Sequence, residues 1–255
     1  MAEALGFSLG KINMLISDFK IEKYIDNQYI VMANGLKALE PYKVDNAIIM
    51  AAGMSSRFAP LSYEKPKGVL MVKGEVLIER QIKQLQEAGI KDITVVVGYM
   101  KEKFFYLEEK YGVEIVVNED YYRYNNTSTL IRVLNELKNT YICSSDQYFA
   151  TNPFEPYVYQ AYYSSVYASG ETDEYCLTCE PSGRIKNVTI GGSNSWYMIG
   201  HVYFDAEFSR KFSSILEREY ENIETREHLW ENLYMKHILM TMIGLTPRNT
   251  EEELN

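Results

Sequence analysis

The sequence predicts an α/β fold, a mostly parallel mixed sheet with helices on both faces, preceded by a small N-terminal unit. Three observations carry this. Between residues 47 and 149, short apolar runs alternate with amphipathic stretches of helical length. Beyond about residue 150 the runs shorten and are separated by turn residues, as in antiparallel additions to a sheet. The first apolar run ends in Ala51-Ala52-Gly53, and in open α/β sheets ligands bind where loops leave the carboxyl ends of strands.

Residues 1–44 read as a unit of their own. "AEALGFSLGKINMLISDF" has the small-residue and glycine spacing of a helix-turn-helix at Ala2 and Gly6, with Ile12 and Ile16 turned inward. "KYIDNQYIVMANGLKALEP" is expected to follow as strand, wing and strand. The segment resembles a winged-helix domain without its first helix, so the chain is expected to be truncated at its start or to begin inside a longer gene product. An unused or dimerising remnant fits it better than an active DNA reader.

Residues 45–255 form the second domain. "AIIMAA" is a buried strand, and "VLIERQIKQLQEAG" a helix with Ile78, Ile82 and Leu85 on one face and Gly89 just past its end. "DITVVVGY", "KEKFFYLEEKYG" and "VEIVVNE" continue as strand, helix and strand. "NNTSTLIRVLNELKN" is the next helix, with Asn or Thr as N-cap and Leu130, Ile131, Leu134 and Leu137 inward. "TYICSSD" is a strand ending on Asp146, which therefore shares a sheet edge with the Gly53 turn. Four short strands, "SSVYAS", "YCLTCE", "RIKNVTIG" and "WYMIGHVYF", come next, then amphipathic helices over 206–220 and 226–240.

Composition narrows the function class. The 255 residues are 46% hydrophobic and 24% charged, ordinary for a soluble globular protein. No run of about 18 apolar residues occurs, so no membrane span is predicted, and the N-terminus lacks a secretory pattern. The three cysteines (Cys143, Cys176 and Cys179) are too few for a disulfide framework and suit a reducing cytoplasm. "CLTC" lies in strand-like alternation, which favours a structural role over a redox or zinc site. A net charge of −9 argues against nucleic acid as a main partner. Twenty-two tyrosines favour an aromatic binding box.

A glycine turn between strand and helix aims backbone N–H groups at an anion and lets it approach closely. Arg57 adds a forked cation suited to phosphate oxygens, and Pro66 stiffens the segment that carries Lys67. Neither a P-loop nor a three-glycine dinucleotide fingerprint is present. With Lys67 and Asp146 at the same edge, a phosphate site is a better reading than a plain loop.

The stretch "AAGMSSRFAPLSYEKPKGVLMVKGEVLIERQIKQLQEAGI" resembles the signature of nucleotidyltransferases that join an NTP to a phosphorylated small molecule. "VVVGYMKEKFFYLEEKYGVEIVVNEDYYRYNNTSTL" and "LWENLYMK" are similar to the bacterial LicC-type CTP:phosphocholine cytidylyltransferases, and the likeness spans roughly residues 45–237. It implies a Rossmann-like nucleotidyltransferase fold, CTP and phosphocholine as substrates, and Mg²⁺ as cofactor. By the same resemblance, Ala52, Gly53, Met54, Ser55 and Ser56 surround the triphosphate and Arg57 holds its β and γ phosphates. Lys67 contacts the reacting phosphates, and Asp146 binds the metal with Glu231 as second carboxylate. Gly98, Tyr99, Asn126, Thr127 and Ser128 line the base and ribose pocket. Two departures stand out. Ser144 replaces the first acid of the family's frequent Asp-x-Asp, and "MTMIGLTPRNTEEELN" lacks the expected closing strand and helix.

A quaternary ammonium makes no hydrogen bonds and is recognised by aromatic faces and a nearby negative charge. Tyr175, Trp196, Tyr203 and Trp230 are the candidate faces, with Asp173 or Glu174 as counter-charge. The expected reaction is in-line attack by a phosphocholine oxygen on the α-phosphorus of CTP, releasing pyrophosphate, with Lys67, Arg57 and Asp146 neutralising the developing charge. The nucleophile is already an anion, so no general base is needed. Two alternatives remain: a sugar-1-phosphate nucleotidyltransferase using UTP or dTTP, and a DNA-binding regulator with a nucleotide-sensing domain. A homodimer is left open.

Overall fold

The computed structural model describes residues 5–54 and 59–237 and the backbone of 246–249, and it divides into two compact units, Met1–Lys43 and Val44–Asn255. In the first unit, Ser8 caps α1 (Leu9–Ile21) by accepting from the Lys11 N–H at 3.2 Å. Ile12 is buried and Ile16 half-buried, in line with their expected inward face. Gly6 adopts a positive φ of 65°, while Ala2 lies outside the described residues. The strand, wing and strand do not form. Ile25 and Val31 make one antiparallel bridge, and α2 (Ala33–Leu39) stands where the second strand was expected. Gly35 explains the helix: a Cβ there would lie 2.4 Å from the Tyr24 carbonyl oxygen, so α2 packs directly on the preceding turn.

The second unit begins with β1 (Asn46–Ala51), followed by the short ribbon β2 (Met71–Val72) and β3 (Glu75–Val76), then α3 (Leu77–Glu87) and β4 (Ile93–Val97). Next come α4 (Tyr106–Tyr111), β5 (Glu114–Val117), α5 (Thr127–Leu130) and β6 (Thr140–Ser144). A long hairpin of β7 (Tyr162–Cys179) and β8 (Ile185–Phe204) precedes α6 (Ala206–Glu219), α7 (Ile223–Glu227), α8 (Trp230–His237) and β9 (Thr246–Asn249).

The main sheet has the order β5-β4-β1-β6-β8-β7-β9. β5, β4, β1 and β6 are mutually parallel, and β8 runs antiparallel to β6. β1 is central, which is why it is apolar from Ala47 to Ala51; its first residue, Asn46, is buried and hydrogen-bonded to Glu136 O and Thr140. The side chains of β1 alternate between two cores: Ile48 joins Val96 and Ile142 on one face, while Ala47 and Ile49 join Val95 and Val97 on the other. On the second face lie Ile78, Ile82 and Leu85 of α3, fully buried as their spacing predicts, and Gly89 follows the helix at φ 87°.

Four expectations are corrected. The four short strands are two long ones, because Ser169-Gly170 and Gly191-Gly192 fall at register shifts within one ribbon and not at its ends. The third helix breaks after Leu130 into a 3₁₀ stretch, Ile131–Glu136, in which Val133 leaves helical geometry. The segment 226–240 divides at His228 into α7 and α8, with residues 238–240 outside the described ones. The C-terminal stretch does supply a strand, β9, paired in parallel with β7. All three cysteines are free thiols, and no helix among the described residues is long and apolar enough to cross a membrane.

Candidate active site

Three parallel strands end at one level. Ala51 of β1 pairs with Val97 of β4, and Met50 pairs with Ser144 of β6. Their loops are then stitched together by backbone bonds: Tyr99 N–H to Ala52 O at 3.1 Å, Ser145 N–H to Met50 O at 3.2 Å, and Asn118 N–H to Val97 O at 2.8 Å. Above this edge opens a cleft of about 720 Å³, the size of a small-molecule site.

Ala52, Gly53 and Met54 form its floor at the turn after β1. Among the described residues a Cβ on Gly53 would meet nothing within 4 Å, and Gly53 lines the cleft. Ser55, Ser56 and Arg57 lie outside the described residues. On one side, Lys67 donates from Nζ to Asp146 Oδ2 at 3.0 Å. Gly68 lets the two segments meet: its own Cβ would stand 3.0 Å from Ser145, beside Asp146. Ser144 also lines the cleft.

The opposite wall is the segment from Tyr121 to Asn126, with Glu227 and Leu229 beyond it. Asn118 shapes this wall. Fully buried, it donates to Ser128 Oγ at 2.9 Å and Thr129 Oγ1 at 3.2 Å, and accepts from the Asp120 N–H at 3.0 Å. Gly98 lies behind Tyr121, whose Cβ would be 2.6 Å from a Cβ added to the glycine. Among the described cleft residues the cationic side chains are Lys67, paired with Asp146, and Arg123, whose guanidinium lies 5.8 Å from the Tyr124 ring and in no ion pair.

Several predicted site residues are elsewhere. Asn126 lines the cleft, but Thr127 and Ser128 are fully buried, so their expected place in a base and ribose pocket is corrected. Thr127 Oγ1 donates to His228 O at 2.7 Å and Ser128 Oγ to Asn125 O at 2.7 Å; both hydroxyls serve the fold. Nor does Asn126 cap α5 with its side chain; it accepts from the Trp230 N–H at 2.8 Å and donates to Glu231 at 3.3 Å. Tyr99 is half-buried, its hydroxyl donating to Ser62 O at 3.0 Å.

The aromatic acceptor box is also corrected. Trp230 is 1% exposed, stacked on Tyr163 and packed edge-on against Phe204 and Phe212. Tyr203 is fully buried against Tyr141 and Tyr162. A ring without an exposed face offers nothing to a ligand. Trp196 lies on β8 with its edge against Tyr167, and Tyr175 is half-buried near Glu231; neither lines the cleft. Asp173 and Glu174 are exposed on β7. The rings that do line it are Tyr121, Tyr122 and Tyr124. The signal for them was the run "YYRYNN", an arginine among aromatics between a strand and a small-residue helix start.

Of the two carboxylates expected to hold a divalent ion, Asp146 lines the cleft and Glu231 does not. Glu231 is buried away from the cleft surface and engaged by the Tyr163 hydroxyl at 3.0 Å and by Asn126. Burial raises its pKa, while hydrogen bonds from its own backbone, Asn126 and Tyr163 act in the other direction. Among the described residues no three His, Cys, Asp or Glu side chains cluster as a metal cage. Asp146 offers one hard oxygen donor in the cleft, and Mg²⁺ is commonly held by one or two carboxylates with substrate phosphates and water completing its shell.

Residues 47–204 match the family model of the MobA-like NTP transferase domain. The chain is 35% identical over 192 residues to the choline-phosphate cytidylyltransferase of Streptococcus pneumoniae strain R6, covering 75% of this chain and 84% of that protein. It is 33% identical over 211 residues to the 2-aminoethylphosphonate cytidylyltransferase of Lancefieldella rimae, covering 81% and 86%. The solved structure of the CTP:phosphocholine cytidylyltransferase LicC of Streptococcus pneumoniae superposes with a TM-score of 0.78 at 33% identity, covering 82% of this chain and 91% of that one.

Proposed function

The chain belongs to the MobA-like NTP transferase family and is a nucleotidyltransferase, and from that premise we propose that it transfers CMP from CTP to phosphocholine, giving CDP-choline and pyrophosphate. The observation that carries the reading is the Lys67–Asp146 pair at the edge of a cleft floored by Ala52–Met54. The triphosphate would lie over the Gly53 turn, where backbone N–H groups and the missing Cβ allow close approach. Lys67 would turn from Asp146 to the reacting phosphates. Arg57 remains the proposed partner of the departing pyrophosphate.

Mg²⁺ is the ion assigned to Asp146, and when bound it supplies positive charge to the phosphates. The acceptor approaches from the opposite wall. Arg123, which pairs with no carboxylate among the described residues, receives its phosphate, and Tyr122, Tyr124 and Glu227 face its cationic end. The acceptor oxygen attacks the α-phosphorus as pyrophosphate leaves in line; because it is already ionised, the protein contributes positioning and charge, not a base. CTP as donor agrees with a cytoplasmic setting.

A second reading has 2-aminoethylphosphonate as acceptor, favoured by the likeness to the Lancefieldella rimae enzyme. A primary ammonium needs hydrogen-bond acceptors, whereas the three tyrosine rings suit a quaternary one. The test is pyrophosphate release by purified protein given CTP, UTP or dTTP with phosphocholine, 2-aminoethylphosphonate or glucose-1-phosphate. Turnover is expected with CTP and phosphocholine. Preference for the phosphonate reassigns the acceptor, and preference for UTP or dTTP with the sugar phosphate sinks the proposal.

A further inference from the structure

The segment after β6 carries Asp146 and then runs to Asn152 without regular structure. Its backbone is gripped by polar side chains of α3. Gln81 donates from Nε2 to Ser144 O at 2.8 Å and to Gln147 O at 3.0 Å, one carbonyl on each side of Asp146. Arg80 donates to Phe149 O at 2.8 Å and Ala150 O at 2.7 Å, and Gln84 to Phe149 O at 3.2 Å and Thr151 O at 3.3 Å.

Gln81 shares with Gln84 a buried amide oxygen that has no partner among the described residues, and differs from Gln84 and Arg80 in where it acts: its two carbonyl partners flank Asp146, whereas theirs lie at residues 149–151. Gln81 is 1% exposed, on the buried side of a helix whose inward residues are otherwise largely Ile and Leu. Its Oε1 is buried without a partner among the described residues, and an unmatched buried carbonyl costs stability. An apolar side chain would serve the core without that cost. The amide is accounted for by its two donors, which fix the spacing of the carbonyls flanking Ser145 and Asp146.

We propose that Gln81 is a positioning residue: by gripping the carbonyls of Ser144 and Gln147 it holds the Asp146 carboxylate at the place the reaction requires. This rests on the reading of Asp146 as the group that binds the metal.

Gln81→Met keeps the length and volume and removes both donors; Gln84→Met removes donors that reach only residues 149 and 151. Misplacing a reacting group by about 1 Å can cost around a hundredfold in rate, so Gln81→Met is expected to lower kcat at least about tenfold with KM for phosphocholine within about twofold. Calorimetric titration with CTP gives a second readout: Gln81→Met should bind as the parent does without Mg²⁺ but lose most of the Mg²⁺-dependent tightening. Gln84→Met should keep both. Unchanged kcat and unchanged tightening in Gln81→Met overturn the proposal, and so does failure of that variant to fold, which assigns Gln81 to the fold alone. Asp146→Asn run alongside separates the two readings: if it retains turnover, the assignment of Asp146 fails first.

Discussion

Lys67 and Asp146, 79 positions apart in sequence, meet at 3.0 Å with their side chains 20% and 37% exposed, so the one described cleft lysine is engaged by the carboxylate proposed to take the metal. A cation arriving at Asp146 must displace the ammonium, and the ammonium then becomes available to phosphate. Half-exposed pairs of this kind are worth about 0.2–1 kcal/mol. Lys67→Met is therefore expected to tighten Mn²⁺ binding to the ligand-free protein by about twofold to fivefold, read by paramagnetic titration. The same variant should lose about two orders of magnitude in kcat, the usual scale for removing one charge-stabilising group. Asp146→Asn should abolish the Mn²⁺ signal and cost kcat at least as much. Weaker Mn²⁺ binding in Lys67→Met would show that the pair organises the carboxylate instead of competing for it.

Arg123 gives a prediction on the acceptor side. Its guanidinium lines the cleft, lies against Tyr124 and has no carboxylate partner among the described residues. Hydrogen bonds to charged groups contribute about 1.5–3 kcal/mol, so Arg123→Ala should raise KM for phosphocholine about tenfold to a hundredfold while KM for CTP stays within a factor of about two. Initial rates with each substrate varied in turn decide it. A rise confined to CTP would place the triphosphate on this wall.

Legibility in the sequence followed the physics of each element. Strands β1, β4 and β6 and the face of α3 were readable because burial on both sides, or a stripe at helical spacing, leaves a periodic trace. The shared edge of Gly53 and Asp146 was readable because both follow parallel strands, and the structure brings Lys67, from a segment outside the main sheet, beside Asp146. Aromatic roles were not readable. Trp230 and Tyr203 carry the same residue types as a binding box, and only packing against Phe204 or Tyr141 separates core from pocket. Thr127 and Ser128 were placed at the base and ribose pocket by family resemblance alone, and a hydroxyl at a helix start is equally able to bond a neighbouring carbonyl, here those of His228 and Asn125. Gln81 left no trace at all: one polar residue among apolar ones is ordinary until its partners are known.

Trp230 and Tyr122 should part company when truncated. Trp230 is enclosed by Tyr163, Phe204 and Phe212, and Trp→Ala in a core costs about 3–5 kcal/mol. Denaturant melts of Trp230→Ala should show a loss of that size. Tyr122 is 64% exposed in the cleft wall, so Tyr122→Ala should change stability by no more than about 0.5 kcal/mol while raising KM for phosphocholine. Trp196→Ala should leave KM unchanged. If Trp196→Ala raised KM for phosphocholine and Tyr122→Ala did not, the aromatic contact would belong to the β7–β8 hairpin.

Glu136 offers a test through pH. It sits at the end of the 3₁₀ stretch after α5, accepting from Thr94 Oγ1 at 2.6 Å. Burial raises its pKa; the Thr94 hydrogen bond opposes this, and the like charges of Glu114 and Asp92 add to it. A carboxyl with a raised folded-state pKa keeps its proton in the folded protein at pH values where the unfolded chain has lost it. Folding stability from this group is therefore complete below the unfolded glutamate pKa and declines as pH rises through the folded value. Above the folded-state pKa both states are ionised and the charge is a net cost. Glu136→Gln removes that charge and retains an oxygen for Thr94, so it should be more stable than the parent at pH 7 by about 0.5 kcal/mol, discounted for partial exposure. The gain should shrink to nothing as the pH falls below about 4, where the parent carboxyl is also neutral. Paired urea melts across this range measure the difference directly. A gain that grows on acidification would mean that Glu136 is stabilised in its ionised form, with the Thr94 hydrogen bond outweighing burial.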